Sequence, residues 1–228
     1  MVEGKKQSKT LHDKQFIFFD LDGTILNSEP LHMMAIRQLL QNHNPPIILD
    51  IETLTKHYHG LDDLAVYQDL CFKFPYLTLT EDQFLSTKNK IYITLLQKIE
   101  DQELETLITP GFRRFLRRLY RQKRTIGLVS ASEKEVVLAT IKRLGIDRFF
   151  SVVEYRKPQV ASKPSPTPYL NAMQKVGATP HDSLIFEDSN AGLTSALSSQ
   201  ADVYQIYHFT KKTIKTSAIK NFNSRKLL

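Results

Sequence analysis

Phe18–Pro30 reads FFDLDGTILNSEP, and this stretch decides the fold of the chain. Two carboxylates, Asp20 and Asp22, close an apolar run that begins at Phe16, and a glycine and a threonine follow them. An apolar run of this length that ends in turn residues is typical of a buried strand. Open α/β sheets place ligand sites where such strands end. The two carboxylates therefore predict a functional site at the end of the first strand, with an ordinary strand-to-turn transition as the alternative.

Beyond residue 108 the chain alternates between strand-like and helix-like segments. The strand-like segments lie at Gln15–Asp20, Thr125–Val129, Ser151–Tyr155, Ser183–Phe186 and Asp202–Tyr207. The helix-like segments lie at Gly111–Gln122, Glu133–Leu144, Pro168–Val176 and Ala191–Ser198. This alternation predicts an α/β protein whose core is a Rossmann-like, doubly wound parallel sheet.

The segment between the first strand and residue 105 has a different, purely helical pattern. Leu31–Gln41 is amphipathic, and Thr80–Gln83 is a capping box that opens a helix reaching about Ile99. We therefore predict a helical cap domain at residues 28–105, inserted into a discontinuous core made of residues 13–27 and 106–228. An insert directly after the candidate site is suited to act as a lid.

Three later motifs also lie at predicted strand or loop ends. Ser130-Ala131-Ser132 follows the second strand, Lys163 lies between prolines in ASKPSPTP, and Glu187-Asp188 ends the strand in LIFEDSNAG. A strand-end hydroxyl and a fixed lysine can bind phosphate oxygens, and adjacent carboxylates can bind a hard cation. Each motif is weak alone, since strands often end in serine and most lysines are solvated.

Taken together, the four motifs are similar to those of the haloacid dehalogenase superfamily, whose members are mostly phosphatases. The order Asp-x-Asp-Gly-Thr, Ser, Lys-Pro, Glu-Asp is the order that this superfamily uses, and the resemblance covers the chain from about residue 15 to 207. The segments SAS, ASKPSP and EDSNAG resemble its β-phosphoglucomutase-like branch, which carries a helical cap.

The resemblance implies roles for the residues of the core. Asp20 would be the nucleophile that forms an aspartyl-phosphate, and Asp22 the general acid and base. Phosphate would be bound at Ser130, Ala131 and Lys163. The cofactor would be Mg²⁺, held by Asp20, the backbone carbonyl of Asp22, and Asp188 with or without Glu187. In the cap, the residues that match substrate positions of the branch are His32, His59, Gly60 and Lys88.

One departure from the branch bears on the reaction. The mutase loop carries a cation on each side of a glycine, whereas this chain has His59 before Gly60 and Asp63 after it. A carboxylate at ~4 Å from a second phosphate would cost roughly 4 kcal/mol per unit of like charge at an effective dielectric constant of ~20. We therefore expect hydrolysis of a small phosphate monoester, such as a sugar phosphate, with net phosphate release.

Three other functions stay open as alternatives. A sugar phosphomutase is favoured by His32 and Lys88. A non-catalytic protein of the same fold, binding through its basic surface, is disfavoured by the intact acidic set, because carboxylates clustered without a metal are electrostatically costly. A dehalogenase is disfavoured by Asp22, which it does not need as an acid.

Composition sets the remaining expectations for the 228-residue chain. No apolar run approaches the ~20 residues of a membrane span, and the charged N-terminus has no secretory pattern. The single cysteine, Cys71, is expected to be a small buried residue. We expect a cytoplasmic monomer with a small phosphorylated metabolite as its partner and no membrane association.

The net charge of +7 is concentrated in the N-terminal KKQSK, in the Arg113–Arg124 stretch and in the tail from Lys211. Such charge can attract nucleic acid or phosphorylated metabolites. In RRFLRRLYRQKR the apolar residues fall on one helical face, which favours solvated arginines on the other. Nucleic acid binding is therefore not expected, since no nucleic-acid motif accompanies the charge.

Overall fold

A computed structural model describes residues 11–210, 212–213, 217–224 and 227. The strands are β1 (Phe16–Phe19), β2 (Thr125–Glu133), β3 (Val152–Arg156), β4 (Ser183–Glu187), β5 (Asp202–Ile206) and β6 (Ala218–Ile219). The helices are α1 (Glu29–Gln41), α2 (Ile51–Tyr58), α3 (Asp63–Lys73), α4 (Glu81–Lys98), α5 (Asp101–Leu107), α6 (Phe112–Arg121), α7 (Lys134–Arg143), α8 (Thr167–Val176) and α9 (Asn190–Ser198). Among the described residues, no helix has the length and apolarity needed to cross a bilayer. The basic N-terminal KKQSK and much of the tail from Lys211 lie outside the described residues.

The six strands form one parallel sheet in the order β3-β2-β1-β4-β5-β6. The strand order reverses beside β1, whose Phe19 pairs with Leu128 of β2 and with Phe186 of β4. In open α/β sheets, ligands bind outside the carboxyl ends of the strands at such a reversal. The register therefore brings the segments that follow β1, β2 and β4 to one point.

Helices cover both faces of the sheet, which confirms the predicted doubly wound fold. On the face of Phe18, α8 and α9 contribute Ala172, Met173 and Leu193 to the core. On the face of Phe19, an aromatic cluster contains Phe112, Phe115, Phe186 and Phe222. The predicted arginine-rich helix is α6, and it buries the expected apolar face.

Two strand predictions need correction. β2 does not end at Val129 but continues to Glu133, with a register irregularity between these residues in its pairing with β3. The short parallel strand β6 was not predicted, because two residues are too few to carry an alternating pattern. The irregularity in β2 matters for function, since it lies where the serines of the SAS motif stand.

The chain divides into two compact units, a sheet unit and a helical unit. Of the described residues, those up to 26, residues 108–133 and those from 147 onward belong to the sheet unit, and residues 27–107 and 134–146 belong to the helical unit. The predicted insert, residues 28–105, lies within the helical unit. The helical unit also contains α7, whereas the sequence analysis places this segment in the core. Its Thr140 hydroxyl contacts the hydroxyl of Tyr92, and its Arg143 pairs with Asp101 at 2.8 Å.

The helical unit has its own apolar core. Residues of α1, α2, α3 and α4 form it, among them Ile36, Leu54, Leu70 and Phe84. The predicted capping box is confirmed: the Thr80 hydroxyl accepts from the Gln83 amide at 3.3 Å, and the Gln83 side chain accepts from the Thr80 amide at 2.9 Å. Cys71, expected to be buried, is only partly so at the edge of this core.

Candidate active site

The two aspartates after β1 have different surroundings. Asp20 is 6% exposed, and its amide donates to the carbonyl of Phe186 at 3.0 Å, which continues the pairing of β1 with β4. Asp22 is half-buried. The chain then turns sharply, since the Gly23 amide donates to the Leu26 carbonyl at 2.7 Å. The two side chains are therefore presented by a strand end and a tight turn.

The serines at the end of β2 hold the Asp22 side chain. Ser130 and Ser132 both donate to its Oδ2 atom, at 3.2 Å and 2.9 Å. The Ser132 amide in turn donates to the Ser130 hydroxyl at 3.0 Å. Ala131 lies exposed between the two serines. Two hydroxyl donors on one oxygen fix the orientation of the Asp22 carboxylate.

Lys163 is the charged centre of the site. Its side chain is 4% exposed, and its ammonium donates to Asp20 Oδ1 at 2.6 Å, Glu187 Oε1 at 2.6 Å and the Val129 carbonyl at 2.9 Å. Asp20 follows β1, Glu187 ends β4, and Val129 lies in β2 directly before its register irregularity. Burial lowers the pKa of Lys163, but the charges of Asp20 and Glu187 outweigh it, so the net pKa is raised. The lysine therefore carries its positive charge in the site.

The two acidic residues at the end of β4 are both buried. Glu187 is fully enclosed, and a Cβ atom on Gly192 would lie 1.9 Å from its Oε1 atom. Asp188 accepts from the Thr24 hydroxyl at 2.9 Å. A Cβ atom on Gly23, whose φ is +83°, would lie 2.2 Å from Asp188 Oδ2. Glycine is therefore required at both positions by close approach of a carboxylate.

Asp20, Glu187 and Asp188 form a buried acidic cluster whose ligand atoms lie within 4.8 Å of one another. Burial first, and then the charge of Glu187, raise the pKa of Asp20 well above its ordinary value. The same causes raise the pKa of Asp188 to about 8. The raised pKa values mean that the ionised carboxylates of the cluster repel one another and are poorly solvated. A hard divalent cation would offset this repulsion, and oxygen atoms are the ligands that such a cation prefers.

The site also contains residues that our sequence reasoning missed. Ser132 holds Asp22, Thr24 holds Asp188, and the Thr109 hydroxyl donates to the Thr24 carbonyl at 2.7 Å. Ser132 and Thr24 lie within the motifs that marked the site, so the sequence could have indicated both. Thr109 had none, because 85 residues separate it from Thr24.

The four predicted cap residues all lie in the helical unit, and two of them share a partner. Gly60, with a φ of +76°, donates its amide to Glu29 Oε1 at 3.1 Å. His59, at the end of α2, places its Nδ1 atom 3.5 Å from the same oxygen. His32, in α1, stacks on Tyr92 with ring centroids 4.4 Å apart.

An ion pair with Lys88 changes the electrostatics expected around Asp63. Lys88 is 1% exposed, and its ammonium donates to the Asp63 carboxylate. The ammonium largely neutralises this carboxylate, so the repulsion expected for a lone charge does not apply. The sequence did not indicate this pair, because the two residues lie on different helices.

Comparison with known proteins gives the family. A model of the haloacid dehalogenase-like hydrolase family matches residues 17–206. The chain belongs to this family. The resemblance inferred from the motifs is thereby confirmed, and so is the expectation that the protein is a hydrolase.

Relatives of this haloacid dehalogenase-like hydrolase include both phosphatases and a mutase. It is 21% identical to a phosphorylated carbohydrates phosphatase from Thermotoga maritima, over 84% of this chain and 85% of the relative. It is 26% identical to a β-phosphoglucomutase from Bacillus subtilis, over 78% of this chain and 77% of the relative. Its fold is shared with CbbY from Rhodobacter sphaeroides, solved in complex with phosphate, with a TM-score of 0.78 and 18% identity, covering 92% of this chain and 95% of that one.

Proposed function

We propose that this hydrolase is a Mg²⁺-dependent phosphatase that cleaves a small phosphate monoester, a sugar phosphate or similar metabolite, through an aspartyl-phosphate. The observation that carries the proposal is the position of Lys163, whose ammonium lies 2.6 Å from both Asp20 and Glu187. This arrangement holds a buried carboxylate beside a positive charge that a phosphoryl group can share.

In the first half of the reaction, an Asp20 oxygen forms a bond to phosphorus as the bond between phosphorus and the ester oxygen breaks. Asp22 donates a proton to the leaving oxygen, which departs as an alcohol. Ser130 and Ser132 support this step by holding the Asp22 carboxyl group at 3.2 Å and 2.9 Å.

In the second half, Asp22 takes a proton from water as the water oxygen attacks the phosphorus of the aspartyl-phosphate. The bond between phosphorus and the Asp20 oxygen breaks, which returns the carboxylate and releases inorganic phosphate. Asp22 is then protonated for the next turnover. Each proton and each bond is accounted for by these two residues and water.

Positive charge is needed throughout, because both the nucleophile and the substrate are anionic. Lys163 supplies part of it, and Ser130 with the amide of Ala131 would bind the transferring oxygens. Mg²⁺ supplies the rest when bound by Asp20, the carbonyl of Asp22 and Asp188, with or without Glu187.

Substrate selection is assigned in this proposal to His32, His59, Gly60 and Lys88 of the helical unit. The phosphatase relative that acts on phosphorylated carbohydrates supports a sugar phosphate as the substrate class. A cytoplasmic location and a monomeric state stay predictions.

A sugar phosphomutase is the second candidate, favoured by the β-phosphoglucomutase relative. The pairing of Lys88 with Asp63 disfavours a mutase. In place of two free cations, the chain has an ion pair with no net charge at Asp63 and Lys88. An ion pair of this kind attracts a second phosphate weakly, so hydrolysis stays the better-supported reaction.

The test is a screen of phosphorylated metabolites with Mg²⁺ that measures released phosphate, with β-glucose 1-phosphate and a trace of its bisphosphate included. We expect phosphate release that excess chelator abolishes. Asp20→Asn should remove turnover while circular dichroism shows an intact fold. Asp147→Asn, at an exposed carboxylate, is the matched control and should retain activity.

Two results would contradict the proposal. One is full activity in the Asp20→Asn protein or in excess chelator. The other is efficient formation of glucose 6-phosphate without phosphate release, which would identify a mutase.

A further inference from the structure

A fully buried tyrosine stands behind the acidic cluster. Tyr169, in the first turn of α8, belongs to the apolar core on one face of the sheet. Its hydroxyl donates to Glu187 Oε1 at 3.0 Å. Burial and the charge of Glu187 raise the pKa of the phenol, so it keeps its proton. A buried phenol requires a partner, and here the partner is a carboxylate of the site.

The Glu187 carboxylate is held from two sides. Its Oε1 atom accepts from Tyr169 and from the Lys163 ammonium, which lies at 2.6 Å. Its Oε2 atom accepts from the amides of Asp188 at 2.9 Å and Ser189 at 3.3 Å. At Oε2 the amides act together with the Ser189 hydroxyl, which donates at 3.4 Å, whereas the donors that the described residues supply at Oε1 are two side chains. The Tyr169 hydroxyl is the donor at Oε1 that does not itself approach the nucleophile.

Tyr169 also touches Lys163 directly, because the lysine Nζ atom lies 5.1 Å from the centroid of the tyrosine ring. The tyrosine ring therefore contacts the lysine directly, and the tyrosine hydroxyl shares the acceptor Glu187 Oε1 with it. The lysine ammonium in turn lies 2.6 Å from Asp20 Oδ1. A continuous chain of contacts runs from Tyr169 through Glu187 and Lys163 to the candidate nucleophile.

We propose that Tyr169 is a positioning residue for phosphoryl transfer, whose hydroxyl fixes Glu187 and thereby holds the Lys163 ammonium against Asp20. The inference rests on the proposed function, because it assigns Lys163 a role in that reaction. Without the hydroxyl, Glu187 Oε1 loses a donor, and the carboxylate turns toward the lysine and draws it from the nucleophile. Partners of this kind that orient a charged group typically contribute about 10–100-fold to activity or affinity.

The test is Tyr169→Phe, which removes one oxygen and keeps the ring beside Lys163. With the Mg²⁺-loaded protein, we expect kcat to fall about tenfold or more, and the Kd for inorganic phosphate, measured by calorimetry, to rise about tenfold. The matched control is Tyr204→Phe, on β5, whose ring stacks on Phe186. It should leave kcat and phosphate affinity unchanged.

A double-mutant cycle tests whether the hydroxyl acts through Glu187. In a Glu187→Gln background, Tyr169→Phe should cause at most about a twofold further loss of kcat, because the bond it would break is already altered. Equal losses in both backgrounds would overturn the route through Glu187. A purely structural hydroxyl would lower the melting temperature of Tyr169→Phe but leave kcat and phosphate affinity as in the parent, which would overturn the positioning role.

The failure of this inference differs from the failure of the proposed function. If the parent neither releases phosphate from any ester nor binds inorganic phosphate, the proposed function is wrong and the role of Tyr169 falls with it. If the parent and Tyr169→Phe release phosphate and bind inorganic phosphate equally well, only the role of Tyr169 is wrong.

Discussion

Asp22 differs from Asp20 in the groups that hold it. Lys163 and the acidic cluster surround Asp20, whereas two serine hydroxyls hold Asp22. The two hydroxyl donors fix the orientation of the Asp22 carboxyl group, which fits the general acid and base of the proposed reaction.

We therefore expect Asp22→Ala to slow the chemical step more than it weakens binding. General acid–base catalysis typically contributes ~10²–10⁴-fold, so kcat should fall by that order while KM changes little. Steady-state kinetics with the best substrate of the screen measures both. Asp147→Ala, at an exposed carboxylate, controls for loss of an aspartate and should match the parent. A kcat equal to that of the parent in Asp22→Ala would exclude the role.

At the residue level, the sequence indicated side chains that do chemistry better than those that support them. Asp20 and Glu187 could be found because each stands at the end of an apolar strand and belongs to a set of motifs in the order that the superfamily uses. Ser132 could not be assigned to Asp22, since its bond depends on the irregular register at the end of β2. Tyr169 looked like an ordinary helix residue, because only the packing of α8 on the sheet brings it to Glu187.

At the level of elements, the pair between α3 and α4 is the feature that the sequence could not indicate. Asp63 lies in the first turn of α3, and its partner Lys88 is buried on α4, 25 residues later. The capping box predicted α4, whereas Asp63 was placed only within a helical insert, so the contact between the two helices was not indicated. The contact joins a predicted substrate residue, Lys88, to the carboxylate that was expected to repel a second phosphate.

We expect Asp63→Asn to destabilise the protein by roughly 2–4 kcal/mol, because it leaves the buried Lys88 ammonium without its carboxylate. Urea denaturation gives the free energy of unfolding. The matched control is Asp101→Asn, which breaks a pair with Arg143 in which the aspartate is 88% exposed. That change should cost less than about 1 kcal/mol.

A second variant separates loss of the pair from loss of a side chain. In Lys88→Met/Asp63→Asn no charge is left buried, so the double variant should recover most of the stability that Asp63→Asn loses. Equal destabilisation by Asp63→Asn and Asp101→Asn would show that the buried pair does not matter for stability.

At the level of the whole molecule, the alternation of strands and helices was sufficient to predict the parallel sheet. The strand order and the reversal beside β1 were not deducible from periodicity, because pairing depends on contacts distant in the sequence. The place of α7 in the helical unit also depends on distant contacts, because its partners Tyr92 and Asp101 come from α4 and α5. Local pattern predicts elements, and packing decides their neighbours.

The acidic cluster should couple the stability of the whole protein to pH and to Mg²⁺. Without a cation, burial and the charge of Glu187 raise the pKa of Asp188 to about 8. In the unfolded chain an aspartate has a pKa of about 3.9. The folded state therefore binds the Asp188 proton more tightly than the unfolded state does. The stability that this proton contributes is fully present below a pH of about 4 and is lost as pH rises through about 8.

We accordingly expect the melting temperature of the protein in chelator to fall as pH rises from about 5 to about 8 and to level off above that. Mg²⁺ should raise the melting temperature more at the higher pH, because it then meets ionised carboxylates and no longer competes with protons. Thermal unfolding followed by circular dichroism, with Mg²⁺ or chelator at each pH, measures both effects.

Asp188→Asn distinguishes this cluster from other titrating groups. Removing one charge of the cluster should make the chelated protein more stable than the parent at about pH 9 and reduce the stabilisation by Mg²⁺. Asp147→Asn, at an exposed position, should follow the parent in both respects. If Asp188→Asn and the parent show the same pH dependence in chelator, the repulsion within the cluster does not set stability. If Mg²⁺ also stabilises both proteins equally, Asp188 is not one of its ligands.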